Sequence, residues 1–590
     1  MILQALKGYY EREKARDNLP VFGYEVGNIH FELVLNLDGE LVQVNDLREP
    51  REKGKPRPKR MMVPSLLTKR TSGVEPLFTW DKTDYVLGAS NKGKEKRIQQ
   101  CHDAFKELHH SLGDEMELPL MQAVLKFLDA WDPTQIAEVI NDRAVGNLDW
   151  EEVAGSNLVF RLDGERDYLQ DKPEIQKAWQ TKVRERIESV PGFCLVNGKA
   201  GAIARLHPAI KNVQGAQTSG ASLISFNKDK TAFTSFAKES NFNAPVSVEA
   251  AFEYATSLNS LLSNYERRVR IGDATTVFWT EKPSEAEGIL ASAFTDTAGD
   301  TGILEKYLTV ASRGNQPRGL DLDVPFYVLG LSPNSARISV RFWYASTVGE
   351  ISERLGQHFE DLRIERRFDF EPRYPSMWQL VNQTALFSKK KNKRDPDRIP
   401  PSLAGEFSRS VLEGRPYPRS LYAAIIGRIR AEAADSDLPL KEQGVNYLQA
   451  ALIKGYLVRI NKQPEVTMSL DNDNNSTAYL IGRLFAICEG AQKAALGNNI
   501  NRTIKDSYIS SASATPGSVF PRLLSLVQHH IKKAGKENYG GRYDKLIEKV
   551  MDKIGEFPAH LKLEDQGVFF LGYYHQRNDL YRKDDTEDKN

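Results

Sequence analysis

The chain has 590 residues, 40% of them hydrophobic and 27% charged, with 80 Lys and Arg against 79 Asp and Glu for a formal net charge of +1. That balance excludes a mainly disordered or fibrous chain and fits a soluble globular protein of about four domains. There is no apolar run near the ~20 residues that span a bilayer, and Lys7 and Glu11 interrupt the N-terminus before a signal-peptide core could form.

In chain order, Leu3, Leu6 and Tyr10 fall at helical spacing and predict an amphipathic helix over Ile2–Lys14. Ile29–Leu35 and Leu41–Val44 flank Asn-Leu-Asp-Gly, the signature of a hairpin. Lys55-Pro-Arg-Pro-Lys59 cannot be helical, because each proline restricts the residue before it. Phe78-Thr-Trp80 and Tyr85-Val-Leu87 read as short strands, and Ser90 as the cap of a helix running from about Lys92 past Phe105 and Leu108. Strands are expected at Leu158–Leu162, Thr275–Trp279, Phe326–Leu329 and Ile338–Trp343, and helices at Ile175–Ser189, Val248–Asn264 and Glu350–Phe359. The mixture has no regular strand–helix beat and reads as α+β. Beyond a basic, proline-ended segment at Lys389–Pro401 the pattern becomes almost purely helical. Leu480, Leu484, Ile487, Ala491 and Ala495 line one helix; Phe520, Leu523, Leu524, Val527 and Ile531 a second; Leu546, Val550 and Ile554 a third. The expected organisation is an N-terminal region 1–150, an α+β domain 151–388, a basic linker and helical connector 389–467, and a C-terminal helical bundle 468–590 with a disordered acidic tail from 584.

Near-zero net charge conceals an asymmetry. Residues 1–47 hold four basic and eight acidic groups, whereas Arg48–Arg70 holds nine basic against two acidic, net +7. Lys389–Arg430 holds eleven basic against four acidic, again net +7. Charges this dense face solvent or a polyanion, and two such zones in a balanced chain raise the expectation of a nucleic-acid partner.

Catalytic and metal-binding signatures are missing. No Gly-Lys is followed by Ser or Thr, so no P-loop is present, and there is no HExxH or zinc-spaced His/Cys cluster. His109-His110 and His529-His530 are adjacent pairs whose side chains diverge by about 100° on a helix, and solvated or core-edge roles suit them better than ligation. Cys101, Cys194 and Cys488 are odd in number and far apart, forming neither a disulfide framework nor a CxxC pair, which makes a reducing cytoplasm the expected compartment. No cofactor or metal is expected.

Several stretches together carry a family resemblance: Met1-Ile-Leu-Gln-Ala-Leu6, Lys69-Arg-Thr-Ser-Gly73 leading to Tyr85-Val-Leu-Gly88, Leu206–Gln217, Ser225-Phe-Asn227, Asn243-Ala-Pro245, Tyr479-Leu-Ile-Gly-Arg-Leu-Phe485, Ser511–Pro516, and Gln566-Gly567 with Gly572-Tyr-Tyr-His-Gln-Arg577. Across essentially its whole length the chain resembles the large subunit of the type I-C CRISPR Cascade complex. The resemblance implies a non-catalytic subunit that reads a short duplex motif beside the target while guide pairing reads sequence. It also implies contacts with CRISPR RNA, double-stranded target DNA and its displaced single strand, the Cascade backbone subunits, the subunit gripping the guide's 5′ handle, small subunits, and a helicase-nuclease effector, with no membrane partner. The C-terminal bundle resembles the small subunit, which this family also makes by internal translation; Met468 is the expected start.

For the motif reader, Lys69, Arg70, Thr71 and Ser72 combine backbone-gripping charge with short hydrogen-bonding groups. Asn91, Lys92 and Lys94 open a helix and suit either phosphate binding or ordinary capping. Gln214, Gln217 and Ser219 fit base-edge reading or a structural turn. Arg57, Lys59, Arg60, Lys389, Lys390, Lys391, Lys393 and Arg394 are expected to follow phosphates, as are Arg522, Lys532, Lys533 and Lys536 on a displaced strand. Arg337, Ser339 and Arg341 share one strand face, facing RNA, a subunit or solvent. The rival readings are a metal-dependent nuclease or guide-RNA processing enzyme, which needs clustered carboxylates or a general base, and a purely protein-binding scaffold.

Overall fold

A computed structural model describes residues 1–51, 54, 56–67, 73–145, 148–226, 238–294, 321–433, 435, 438–439, 442–461, 466–497, 502–534 and 540–582. The chain divides into two compact units, Met1–Ser260 with Pro333–Ile338, and Leu261–Ser332 with Ser339–Asn590.

The first unit opens with the helix Ile2–Lys14, which buries Leu6, Tyr9 and Tyr10 as its spacing predicts. Next comes a two-stranded ribbon formed by β1 (Tyr24–Ile29) and β4 (Lys59–Pro64). A four-stranded sheet follows, containing β2 (Phe31–Leu35), β3 (Leu41–Asp46), β5 (Trp80–Lys82) and β6 (Asn157–Leu162) in the order β3-β2-β6-β5. The β2–β3 hairpin turns at Gly39, whose φ of 83° is open to glycine at little cost. β2 runs parallel to β6 and is buried along its whole length, as a central strand covered on both faces must be. Its one charge, Glu32, accepts from Arg161 at 2.9 Å, Asn45 at 2.7 Å and Tyr168 at 2.9 Å. Burial alone would raise its pKa; these hydrogen bonds outweigh burial and lower it.

Four local expectations change here, the first being the strand expected at Phe78–Trp80, which begins only at Trp80 and runs to Lys82. Tyr85-Val-Leu87 belongs to a helical turn, Thr83–Val86, closed by Leu87 N–H to the Thr83 carbonyl at 2.9 Å. Three consecutive apolar residues that are all buried carry no alternation, so periodicity could not separate strand from helix. The next helix is Glu95–Gly113, with Lys94 as its N-cap. Gly88 and Gly93, both at positive φ, carry the chain through turns first, so Ser90, Asn91 and Lys92 precede the helix. That helix buries Cys101, Phe105 and His109. The helix Pro173–Arg186 stops short of Ser189, where a hairpin begins, β7 (Ser189–Phe193) against β8 (Ala200–Ala204).

The second unit contains the sheet β12-β11-β10-β9, made of β9 (Arg268–Ile271), β10 (Ala274–Thr280), β11 (Pro325–Asn334) and β12 (Arg337–Thr347), whose first residues count with the first unit. Phe278, Phe326 and Val328 share a core with Ile351 and Leu355 of the helix Val348–Leu362. A small hairpin, β13 (Phe387–Ser388) with β14 (Lys393–Arg394), precedes the helices Pro401–Leu412, Arg419–Glu432 and Tyr447–Asn461. The helices Thr477–Leu496 and Leu563–Tyr581 then cross at two glycines, because a Cβ on Gly482 would strike the Phe569 carbonyl and one on Gly572 the Tyr479 carbonyl. Within this bundle Glu489 is buried, accepting from the Tyr573 hydroxyl at 2.6 Å and pairing with Lys493 at 3.0 Å. Burial pushes its pKa up, but Arg577 and Lys493 hold it down to about 2. Among the described residues no helix is long and apolar enough to cross a membrane.

Candidate nucleic-acid interface

Basic residues of the first unit lie on both sides of residues 68–72 in the chain, and the described residues flanking that segment are fixed. At the entry, Ser65 N–H donates to Gly23 O at 2.8 Å, Trp80 Nε1 to Pro64 O at 2.8 Å, and Trp179 Nε1 to Ser65 O at 3.2 Å. At the exit, Arg97 of the Glu95–Gly113 helix donates to the Gly73 carbonyl at 3.2 Å. Lys69, Arg70, Thr71 and Ser72 lie outside the described residues; Gly73 after them is tied to the start of a helix, where Asn91, Lys92, Lys94, Lys96 and Arg97 are all exposed. Lys96 and Arg97 were not among the expected residues; the run Lys92-Gly-Lys-Glu-Lys-Arg97 was their signal. Arg60 on the ribbon and Arg57 just before it are exposed, and Lys59 leans over the Tyr168 ring at 5.7 Å, a cation–π contact.

Gln214 and Gln217 sit on a well-defined loop. Ile210 and Ala221 close it with two backbone hydrogen bonds of 2.9 Å, and Gly215 and Gly220 turn within it at φ of 81° and 92°. Val213 is buried, while Gln214, Gln217, Thr218 and Ser219 face solvent. The side chain of Asn259 supports the loop, accepting from Lys211 N–H at 2.7 Å and donating to Ala209 O at 3.0 Å. Arg337 donates to Ser225 Oγ at 2.8 Å in the first unit, and Arg341 pairs with Asp273 at 2.7 Å in the second.

The second basic zone divides by strand alternation. In β13–β14, Lys390, Lys391 and Lys393 are exposed; Lys389 pairs with Asp435 at 2.9 Å and Lys391 approaches Asp395 at 3.7 Å. Arg394, expected on the surface beside them, is 3% exposed. Its guanidinium pairs with Glu432 at 3.0 Å and Glu442 at 2.8 Å and donates to the Ala385 carbonyl at 2.8 Å. Neighbouring side chains on a strand point to opposite faces, so when Lys393 faces water Arg394 turns inward, where burial of a charge requires partners. In the bundle, Arg522, Lys532 and Lys533 are exposed on the helix Pro516–Ala534, and Lys536 lies outside the described residues.

The paired histidines part company. His109 is fully buried, with its Nδ1 at 2.7 Å from Phe105 O and its Nε2 accepting from Thr79 N–H at 2.9 Å, and burial lowers its pKa to about 3. His110 faces solvent between Asp114 and Asp129, whose carboxylates raise its pKa. Among the described residues no group of three or more His, Cys, Asp or Glu is placed to hold a metal ion.

Two of the stretches that carry the resemblance meet in the bundle. Tyr479 receives the Asp471 N–H at 3.1 Å and meets His575 Nδ1 at 2.9 Å, and Arg483 donates to Gln576 at 3.0 Å, so the two C-terminal motifs form one crossing. A family model described as CRISPR-associated protein (Cas_Csd1) matches residues 6–581. No curated protein matches the chain.

Proposed function

The chain belongs to the CRISPR-associated Csd1 family, the large subunits of the type I-C Cascade, and from that premise we propose that it is the non-catalytic subunit that reads the motif beside the target in duplex DNA. In this reading it also helps open the target, stabilises the separated strands and recruits the helicase-nuclease. The observation that carries the proposal is the family match over residues 6–581. The exposed cations of both units support it, since lysine and arginine near phosphates release condensed counterions whatever the sequence.

The roles divide into reading and gripping. The Lys69–Ser72 loop with Asn91, Gln214 and Gln217 reads; Arg57, Lys59, Arg60, Lys92, Lys94, Lys389, Lys390, Lys391 and Lys393 grip the backbone; Arg522, Lys532, Lys533 and Lys536 follow the displaced strand. A second, shorter product begins at Met468. Gel shifts of the assembled complex on duplexes differing only beside the target test the division. Replacing Lys389, Lys390 and Lys391 by Glu weakens binding to every duplex and flattens its salt dependence, by about one unit of slope for each phosphate no longer neutralised. Thr71→Ala or Ser72→Ala instead erodes preference among flanking motifs. Identical behaviour of the two sets overturns it.

A further inference from the structure

The loop that carries Gln214 and Gln217 is held on both edges of its incoming arm. On one edge the Ile210 N–H and carbonyl pair with Ala221. In an extended chain the carbonyl of the residue before and the N–H of the residue after point the opposite way. Here those two groups meet the side-chain amide of Asn259, which donates to Ala209 O at 3.0 Å and accepts from Lys211 N–H at 2.7 Å. One side chain thus stands where a neighbouring strand would. The outgoing arm is fixed by backbone, Ser222 N–H to Ala336 O at 3.2 Å and Ile338 N–H to Ser222 O at 3.0 Å.

Asn259 stands on firm ground. Its helix, Val248–Ser263, buries Tyr254, Leu258, Leu261 and Leu262, and the Tyr254 hydroxyl also holds the start of the loop, 2.8 Å from His207 Nδ1. Directly after Lys211 the chain turns at Asn212, whose φ of 64° is a conformation that few residues other than glycine adopt. Gly220 lets the arms close, since a Cβ there would lie 2.9 Å from Ala209 Cβ and 3.0 Å from Ile210 O. Asn259 therefore fixes the backbone where the turn towards Gln214 and Gln217 begins.

The exposed tip residues, Gln214, Gln217, Thr218 and Ser219, are uncharged. A lysine near a phosphate tolerates displacement, whereas a hydrogen bond to a base edge weakens steeply with distance and angle. Such a tip discriminates only when its supports hold it in one place.

We propose that Asn259 is a positioning residue for motif reading: without touching DNA, it sets the preference among flanking motifs by fixing Gln214 and Gln217. The inference rests on the motif-reading function proposed above.

The test measures affinities of the assembled complex, with guide RNA, for duplexes that differ only beside the target. Asn259→Leu has nearly the size of asparagine and neither hydrogen bond. It lowers affinity for the preferred duplex about tenfold, the value of one base contact, and leaves the other duplexes and the salt dependence unchanged. If Asn259→Leu does not assemble, the smaller change Asn259→Ser carries the same expectation. An unchanged ratio between duplexes, or an equal loss on all of them, overturns the proposal and leaves Asn259 a purely structural residue. A variant with Gln214 and Gln217 both replaced by Ala separates the two levels. If it loses the preference while Asn259→Leu keeps it, only the positioning role fails; if it keeps the full preference, the reading role of this loop fails and the positioning role with it.

Discussion

Each unit holds a short hairpin whose two sides meet different surroundings, β7–β8 in the first and β13–β14 in the second. In β7–β8 the outer side is apolar and the inner side is fastened to Pro245–Ser247. In β13–β14 the outer side is lysine and the inner side is a single arginine between two glutamates. A count of charges along either segment describes neither arrangement. What decides the surface is the two-residue period of the strand, which sends Lys393 out and Arg394 in, and Phe193 out and Cys194 in.

The contrast can be broken most sharply at Arg394. Arg394→Ala leaves Glu432 and Glu442 buried without their counter-charge and is expected to cost about 4 kcal/mol in chemical denaturation. Lys393→Ala next to it changes stability by less than about 0.5 kcal/mol. An Arg394→Ala variant of full stability and weakened DNA binding reverses the assignment. Ile203→Ala, on the covered side of β7–β8, costs about 3 kcal/mol through the cavity it leaves.

Acid tests the buried histidines of both units. His109 titrates near 6.5 when unfolded and near 3 when folded, so only the unfolded form takes up its proton as pH falls. Its contribution is full above pH 6.5 and is lost towards pH 3, about 2 kcal/mol of it between pH 7 and pH 5. Glu489, at 4.5 unfolded and about 2 folded, contributes fully above 4.5 and is lost only below that. Burial likewise lowers His575 of the bundle to about 4 and lowers His358, so hydrogen exchange on lowering the pH from 7 to 5 should loosen the packing around His109 and around His575 before Glu489 begins to titrate; loosening only below pH 4.5 contradicts these roles. His109→Gln should flatten the drop. The smallest effect belongs to Phe193→Ala, which shifts the unfolding midpoint by no more than about 0.5 kcal/mol equivalent; a larger loss means that this face is packed.

Strong local patterns carried much of the fold into view. The helix Ile2–Lys14 has the bounds its spacing predicts, and the strands expected at Leu158–Leu162, Thr275–Trp279, Phe326–Leu329 and Ile338–Trp343 lie within β6, β10, β11 and β12. β7 and β8 escaped because Ser-Val-Pro-Gly-Phe and Ala-Gly-Ala-Ile-Ala are poor in the β-branched and aromatic residues that signal a strand. The hairpin exists because Ile203 and Cys194 pack beneath it, a tertiary cause with no local signature. The basic zones were visible as charge, but the inward turn of Arg394 depends on Glu432 and Glu442, each dozens of residues away.

The glycine crossing of Thr477–Leu496 with Leu563–Tyr581 has a consequence for any polypeptide that begins at Met468. Both halves of the crossing lie downstream and would be inherited whole. Left behind would be Tyr422, whose hydroxyl reaches Glu564 O at 2.9 Å, and the Glu365 carbonyl that receives Tyr574 at 2.7 Å. Such a fragment is born with one flank uncovered, and an uncovered apolar flank on a firm helix pair seeks a substitute cover, so copies of it should self-associate as their concentration rises.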